Sequence, residues 1–165
     1  MKKSINQIYK KIIKQSKEKF YFEDFFVSNE VRAKIEIFQI NLILVLWCLK
    51  KLKLPESNIS FLISMFLKDL EVLLYELGEA ESRIPRKIRK MTENFYGRLV
   101  SYSLEFDNVI EKKTEKIGLK LKANFKEEKI DYKKFSKYLR SNVKHLSKLK
   151  KYNLDQVSFF KYKKL

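Results

Sequence analysis

The chain has 165 residues, 45% of them hydrophobic and 14% aromatic, with three Gly, two Pro and a formal net charge of +17 at pH 7. These values predict a single all-α domain over residues 1–165, a compact fold of about five to seven helices whose core spans about residues 5–150. The lone cysteine, Cys48, and the lone histidine, His145, exclude an intramolecular disulfide, a His-dependent nucleophile and a clustered His metal site.

The first twenty residues are basic and place Ile5, Ile8, Ile12 and Phe20 on roughly one helical stripe. Such a stripe fits a core helix, a helix on a membrane surface or a mitochondrial presequence. Residues 21–30 are predicted to be a connection, in which Ser28 or Asn29 could cap the helix that follows.

A helix is predicted from about Val31 to Leu52, and it contains the most hydrophobic run, INLILVLWCL. This run is far shorter than the roughly 20 apolar residues that span a bilayer. We therefore predict a central core helix with Trp47 inside it and Cys48 as a buried free thiol. A short loop containing Pro55 follows.

Two amphipathic helices, predicted over 58–78 and from Pro85 to about Ile110, form the centre of the chain. Gly78 can take the left-handed conformation that ends the first helix, and Pro85 suits the first turn of the second. The short acidic loop between them predicts an antiparallel pair. Gly97, in the middle of the second helix, indicates close approach of either another helix or a partner.

The second of these helices has a basic start, where the positive end of the helix dipole disfavours cations. One interpretation is a solvated face that Glu79 and Glu81 compensate, and the other is a docking patch. Asp69 and Glu76 are weak candidates for an acid and base pair, and ion pairs with the basic start explain them better. The basic residues are Arg83, Arg86, Lys87, Arg89 and Lys90.

Residues 111–129 are charged and predict a frayed helix end or a loop, after which Asp131 caps a last helix. The apolar face of that helix contains Tyr132, Phe135, Leu139, Val143, Leu146 and Leu149. Residues 151–165 predict either a short helix or a mobile basic tail. From residue 111 onward there are 18 Lys or Arg against 6 Asp or Glu, a basic C-terminal extension that fits an anionic partner or the lysine bias of an A+T-rich genome.

The run ELGEAESRIPRKIRKMTENFYGRLVSY resembles the signature of the ubiquinol–cytochrome c chaperone family, the assembly factors of the cytochrome bc1 complex. Tyr75 and Glu81 depart from the family pattern, in which an arginine and an aspartate are usual. Within the helix of Trp47, Lys34 and Asn41 are aligned with an arginine and a histidine of the family. The matching residues are Glu76, Gly78, Pro85, Lys87, Met91, Phe95, Tyr96, Gly97, Arg98 and Tyr102.

The resemblance implies a bacterial, non-catalytic chaperone without cofactor, metal or small-molecule substrate, whose client is newly made cytochrome b. It places the protein in the cytoplasm, peripherally on the inner membrane, and makes residues 1–20 the first helix of the domain. The alternative is an RNA- or ribosome-binding protein, although no nucleic-acid-binding motif is present, and a helical enzyme is a third. An apolar cleft beside the FYGR segment would favour a protein client. The implied client-binding residues are Glu76, Glu81, Arg86, Lys87, Lys90, Tyr96, Gly97, Arg98 and Tyr102.

Overall fold

The computed structural model describes residues 2–154 and 158–162, and the regular structure in these residues is entirely helical. Six helices have nine or more residues, α2 is a single turn, and short 3-10 turns lie at Glu81–Arg83 and Lys151–Asn153. The predicted all-α fold is confirmed. The helices are α1 (Lys2–Ser16), α2 (Phe20–Glu23), α3 (Val31–Lys51), α4 (Glu56–Glu76), α5 (Ile84–Ile110), α6 (Ile117–Phe125) and α7 (Tyr132–Leu146).

Helix α3 is the central element, and every side chain from Gln39 to Leu49 is buried. A helix that is apolar on all sides needs neighbours on all sides, and α1, α4, α5, α6 and α7 all pack against α3. Trp47 is inside, as predicted, and burial raises the pKa of the Cys48 thiol to about 12. None of the helices in the described residues has the length and apolar character needed to cross a membrane.

Asn41 is the polar exception at the centre of α3, and its hydrogen bonds are made inside the core. Its amide nitrogen donates to the Tyr21 hydroxyl at 2.8 Å, and the Tyr138 hydroxyl donates to its carbonyl oxygen at 3.1 Å. A buried polar group that is fully hydrogen-bonded specifies how its neighbours pack. Asn41 therefore fixes α2 and α7 against α3.

The N-terminal segment forms a core helix, since Ile5, Ile8 and Ile12 of α1 are buried and α1 packs against α3 and α4. The predicted cap of α3 is wrong. Its N-cap is Glu30, whose side chain makes no capping bond. Ser28 instead donates from its backbone N–H and its hydroxyl to the Glu127 carboxylate, at 2.9 and 3.0 Å, and so ties the connection to the chain beyond α6.

Helices α4 and α5 pack as the predicted pair. Gly78 has φ +79°, and the N–H of Glu79 donates to the carbonyl of Leu74 at 3.0 Å, the bond of a Schellman ending. Pro85 stands in the first turn of α5. The Phe66 and Phe95 rings lie 5.2 Å apart between centroids and join the two apolar stripes.

The segment after α5 differs from its prediction, because residues predicted to be loop or frayed helix contain α6. Ile117, Leu121 and Phe125 are buried at four-residue intervals, a stripe too short to stand out among so many charges. Gly118 lets α6 approach α7: a Cβ there would lie 3.1 Å from the Ser136 hydroxyl oxygen. This is the close helix approach that the sequence analysis assigned to Gly97.

Helix α7 begins as predicted, with an Asp131 side-chain oxygen accepting from the backbone N–H of Lys134 at 3.0 Å. Residues 158–162 are neither a helix nor a free tail. Asn142 donates to the Lys161 carbonyl and accepts from its N–H, and the Tyr162 ring stacks on Phe20 at 3.9 Å. The rest of the predicted tail, residues 155–157 and 163–165, lies outside the described residues.

Candidate functional site

A cleft of about 630 Å³ opens between the end of α3, the start of α4 and the middle of α5. Its lining is largely apolar and includes two exposed side chains of α5, Tyr96 at 47% and Val100 at 72% exposure. Single exposed apolar side chains are common, but a contiguous apolar patch beside a cleft is typical of a binding surface. The apolar lining residues are Leu46, Trp47, Ile59, Ile63, Tyr96, Leu99 and Val100.

The exposed apolar surface continues along α5 from the cleft. Tyr96, Val100 and Leu104 follow at intervals of four, so they share one face of the helix, and Leu104 is also exposed. The buried stripe of α5, with Phe95, Tyr102 and Phe106, faces the core instead. Helix α5 therefore has two apolar stripes, one used by the fold and one open.

The rim of the cleft carries three lysines, Lys50, Lys51 and Lys53, and two carboxylates, Glu56 and Asp107. Lys51 pairs with Asp107 at 2.8 Å, and the Trp47 indole donates to the same carboxylate at 3.0 Å. Burial opposes ionisation of Asp107, but these two hydrogen bonds and the Lys51 charge outweigh it and hold its pKa below the usual value. Lys50 and Lys53 also line the cleft and form no ion pair within the described part of the chain.

The structure divides the predicted site residues between two surfaces and the interior. Glu76 and Glu81 lie at the loop between α4 and α5, and Arg86, Lys87 and Lys90 lie on the first turns of α5, all exposed. Lys90 comes six residues before Tyr96, the first cleft residue of α5, which is about 9 Å at 1.5 Å per residue. None of the basic residues at the start of α5 lines the cleft, so the two are neighbouring but separate surfaces.

The expected ion pairs at the basic start are present in part. Lys87 pairs with Glu79, as the solvated-face interpretation requires. Glu76 and Glu81 form no ion pair among the described residues, and Asp69 accepts a hydrogen bond from Tyr9. The predicted pairing of Asp69 and Glu76 with this patch is therefore wrong.

Two of the predicted site residues, Arg98 and Tyr102, have roles inside the fold. Arg98 forms a two-bond ion pair with the buried Glu36 of α3, at 2.9 and 2.6 Å. Burial raises the pKa of Glu36, and Arg98 only partly offsets this. Tyr102 is buried and accepts a hydrogen bond from Asn124 at 2.9 Å, so it is unavailable to a partner in this conformation.

Gly97 is exposed beside Tyr96, and a Cβ built on it would meet nothing within 4 Å. The predicted approach of another helix of this chain at Gly97 is wrong. Gly97 does not line the cleft, but it follows the cleft residue Tyr96, and its open side leaves the α5 backbone accessible to a partner there.

Sequence reasoning missed Val100, Leu104 and the lysines of the rim. The signal for the α5 residues was present, because Tyr96, Val100 and Leu104 repeat every four residues beside the core stripe. The contribution of α3 had no such signal, since Trp47 and Lys50 reach the cleft only through the packing of α3 against α5. No group of three His, Cys, Asp or Glu side chains suited to a metal ion occurs within residues 2–154 and 158–162.

Comparison with known proteins adds a family and a fold. The profile of the family described as Ubiquinol-cytochrome C chaperone matches residues 23–159. The crystal structure of the Cbp3 homolog from Brucella abortus superposes with a TM-score of 0.80 at 18% identity, over 97% of this chain and 90% of that chain. No curated protein shows a significant match to the sequence.

Proposed function

The chain belongs to the ubiquinol–cytochrome c chaperone family, and from this premise we propose that it is a non-catalytic chaperone that binds newly made cytochrome b during assembly of the cytochrome bc1 complex. The observation that carries the proposal is the apolar cleft beside the FYGR segment. This is the feature that was expected to favour a protein client over a nucleic acid.

The chemistry of the cleft supports a protein client. Its surface offers the exposed side chains of Tyr96 and Val100, and the buried Trp47 lines the cleft from inside the fold. Aromatic and aliphatic anchors of this kind are typical of protein interfaces, and an apolar segment of a membrane protein awaiting insertion supplies matching side chains. Gly97 leaves room for the client backbone next to the α5 helix.

The second client contact in this proposal is the basic start of α5. Arg86 and Lys90 are exposed, and neither forms an ion pair among the described residues. These cations lie about 15 and 9 Å along the helix from Tyr96, the first cleft residue of α5, and so suit an acidic loop that flanks the apolar segment. Glu76, Glu81 and Lys87 complete this surface. In this proposal the chaperone meets its client at the cytoplasmic face of the inner membrane.

The test places a photo-crosslinking amino acid at Val100 in cells that are synthesising cytochrome b. The matched control is Leu119 of α6, which is 66% exposed and lies away from the cleft. We expect crosslinks to cytochrome b from position 100 and none above background from position 119. Equal yields at the two positions, or none at 100 while cytochrome bc1 still accumulates, would contradict the proposal.

Substitution gives an independent test of the same cleft. Val100→Asp puts a charge on the apolar surface, whereas Leu119→Asp makes a comparable change elsewhere. Both variants should fold, because both side chains are exposed. We expect only Val100→Asp to lower the level of assembled cytochrome bc1, measured by haem spectra of membranes.

A second candidate function, association with the ribosome or with an anionic membrane surface, is favoured by one feature of α7. Lys133, Lys137 and Lys144 are exposed and recur at steps of four and seven, so they form one row opposite the buried face. The row is about 16 Å long and makes no ion pair within the described part of the chain. Such a row attracts a polyanion without specifying its sequence.

A further inference from the structure

A second cavity, of about 320 Å³, lies between the first half of α3 and the first half of α5. It is distinct from the client cleft, with which it shares no lining residue. Its volume is at the lower end of the range found for small-molecule sites, about 300–1,000 Å³. The lining residues are Val31, Arg32, Ile35, Glu36, Gln39, Leu70, Met91, Asn94 and Arg98.

Gln39 is the unexplained residue of this cavity. The residue is 6% exposed, and within residues 2–154 and 158–162 its amide forms no hydrogen bond. The amide is not sealed from solvent, because among the described residues only Asn58 Nδ2 is a fully buried polar side-chain atom without a partner. The Gln39 amide therefore opens on the cavity, where it can hydrogen-bond a ligand in place of water.

The charges around the cavity favour an anion. Two of its lining residues are cationic, Arg32 and Arg98, and only Glu36 is anionic. Glu36 accepts two of the five N–H bonds of Arg98, and a third reaches the Asn94 carbonyl. Arg32 donates two to the backbone carbonyls of Phe125 and Asn124. Both guanidinium groups therefore keep unused donors, which fit the oxygens of an anion.

The other part of the lining is aliphatic, with Val31, Ile35, Leu70 and Met91 facing the same cavity. A strongly hydrated inorganic anion gains nothing from such a surface, whereas a carboxylate with an alkyl part matches both halves. We propose that the cavity binds an alkyl carboxylate, with the Gln39 amide and the unused N–H groups of Arg32 and Arg98 on its oxygens. The alkyl part lies against Val31, Ile35, Leu70 and Met91.

The test titrates the whole protein with butyrate and, as a neutral probe of the same shape, butanamide. The Gln39 side-chain amide gives a pair of NMR signals, which are assigned by their disappearance in the Gln39→Leu variant. Butyrate should shift these signals in a saturable way, and butanamide should leave them unchanged. In Gln39→Leu, butyrate affinity, measured by calorimetry, should fall about tenfold, the loss expected for one hydrogen bond to a charged group.

Gln15→Leu is the matched control, because the Gln15 amide donates to the Tyr138 hydroxyl at 3.0 Å and is remote from the cavity. That variant should lose stability and keep butyrate affinity, whereas Gln39→Leu should be at least as stable as the wild type. Asn94→Trp fills the exposed mouth of the cavity and provides the test if Gln39→Leu fails to fold.

Two results would overturn the site: an equal response to butyrate and butanamide, or unchanged butyrate affinity in Asn94→Trp. Titration with N-acetyl-leucine separates two sources of the carboxylate. If N-acetyl-leucine binds more tightly than butyrate, the natural ligand of the cavity is the C-terminus of a polypeptide. If it binds equally or more weakly, the natural ligand is a free carboxylic acid.

Discussion

Two hydrogen bonds join Arg98 to Glu36: the Arg98 Nε atom lies 2.9 Å from Glu36 Oε2, and Nη2 lies 2.6 Å from Oε1. The Arg98 side chain is 19% exposed and that of Glu36 is 8% exposed, so this ion pair is largely withdrawn from water. It ties α5 to α3 and forms one wall of the smaller cavity. The arginine of the FYGR segment is thus part of the fold.

Breaking this pair should destabilise the protein. Arg98→Met leaves Glu36 buried without its partner and should lower the free energy of unfolding by about 3 kcal/mol in urea at neutral pH. Without Arg98 the pKa of Glu36 rises further, so the loss should shrink as the pH falls through that pKa and Glu36 becomes neutral. The double variant Glu36→Met, Arg98→Met should recover most of the stability, and a single variant as stable as the wild type would contradict this role.

Stability should depend on pH in a different way through Asp107, because the pKa of this residue in the folded protein is below the usual value of 3.8. The stabilisation from its bonds with Lys51 and Trp47 is present above that value and is lost as the pH falls through the folded pKa. Thermal melts of wild type and Asp107→Asn should therefore differ most near neutral pH. The difference should shrink as the pH falls below 3.8 and through the folded pKa, and a constant difference across this range would contradict the prediction.

The two helical glycines should respond in opposite ways to alanine. Gly97→Ala fills open space and should raise the free energy of unfolding by up to about 1 kcal/mol. Gly118→Ala puts a methyl group 3.1 Å from the Ser136 hydroxyl oxygen, which is held by a 2.6 Å bond to the Tyr132 carbonyl. It should melt at or below the wild-type temperature, and adding Ser136→Ala should restore the loss. A larger gain at Gly118 than at Gly97 would contradict the assignment.

At Gly97 a larger residue should separate folding from client binding. The open space around Gly97 excludes a packing role within the chain and leaves the approach of a partner as the remaining interpretation. Gly97→Leu should therefore fold normally and bind cytochrome b less well. Unchanged client binding by this variant would show that no partner approaches here.

Charge reversal tests the basic start of α5. Arg86 lies in the first turn of α5, where the helix dipole disfavours a cation by about 0.3–1 kcal/mol, and Lys90 lies in the second turn, where this effect is smaller. Changing both to Glu should therefore leave the melting temperature unchanged or raise it. In cells the same variant should accumulate less cytochrome bc1, because the proposed docking charge is inverted. Normal bc1 levels with a stable protein would leave the patch as a solvated face.

For the lysine row of α7, substitution is more informative than deletion. Removing residues 131–165 deletes Phe135, Leu139 and Val143 from the core and should unfold the protein, so loss of function would be uninformative. Lys137→Gln with Lys144→Gln removes two exposed charges and should weaken sedimentation with ribosomes or anionic vesicles, most clearly at low salt. Unchanged sedimentation would assign the lysine content to genome composition.

The secondary structure was predictable wherever the local signals were strong. Gly78 ends α4 and Pro85 starts α5 because of their own backbone geometry, which depends on few neighbours. The Asp131 cap of α7 is equally local. Helix α6 was missed because its buried stripe has three members, too few to be recognised in a charged segment. The error over the two glycines has the same origin, since whether a glycine marks close packing depends on the helix opposite it.

The sequence by itself determined an all-α chain, the apolar helix at its centre and the family to which it belongs, because periodicity, turn residues and the FYGR segment are properties of neighbouring residues. Tertiary structure decided which side chains are available to a partner. Arg98 gives two of its N–H groups to Glu36 and Tyr102 lies in the core, whereas Val100 is exposed and Gln39 lines a cavity without a partner in the described chain. Each of these outcomes depends on whether a side chain more than 20 residues away packs against the residue. A local sequence pattern cannot predict such a contact.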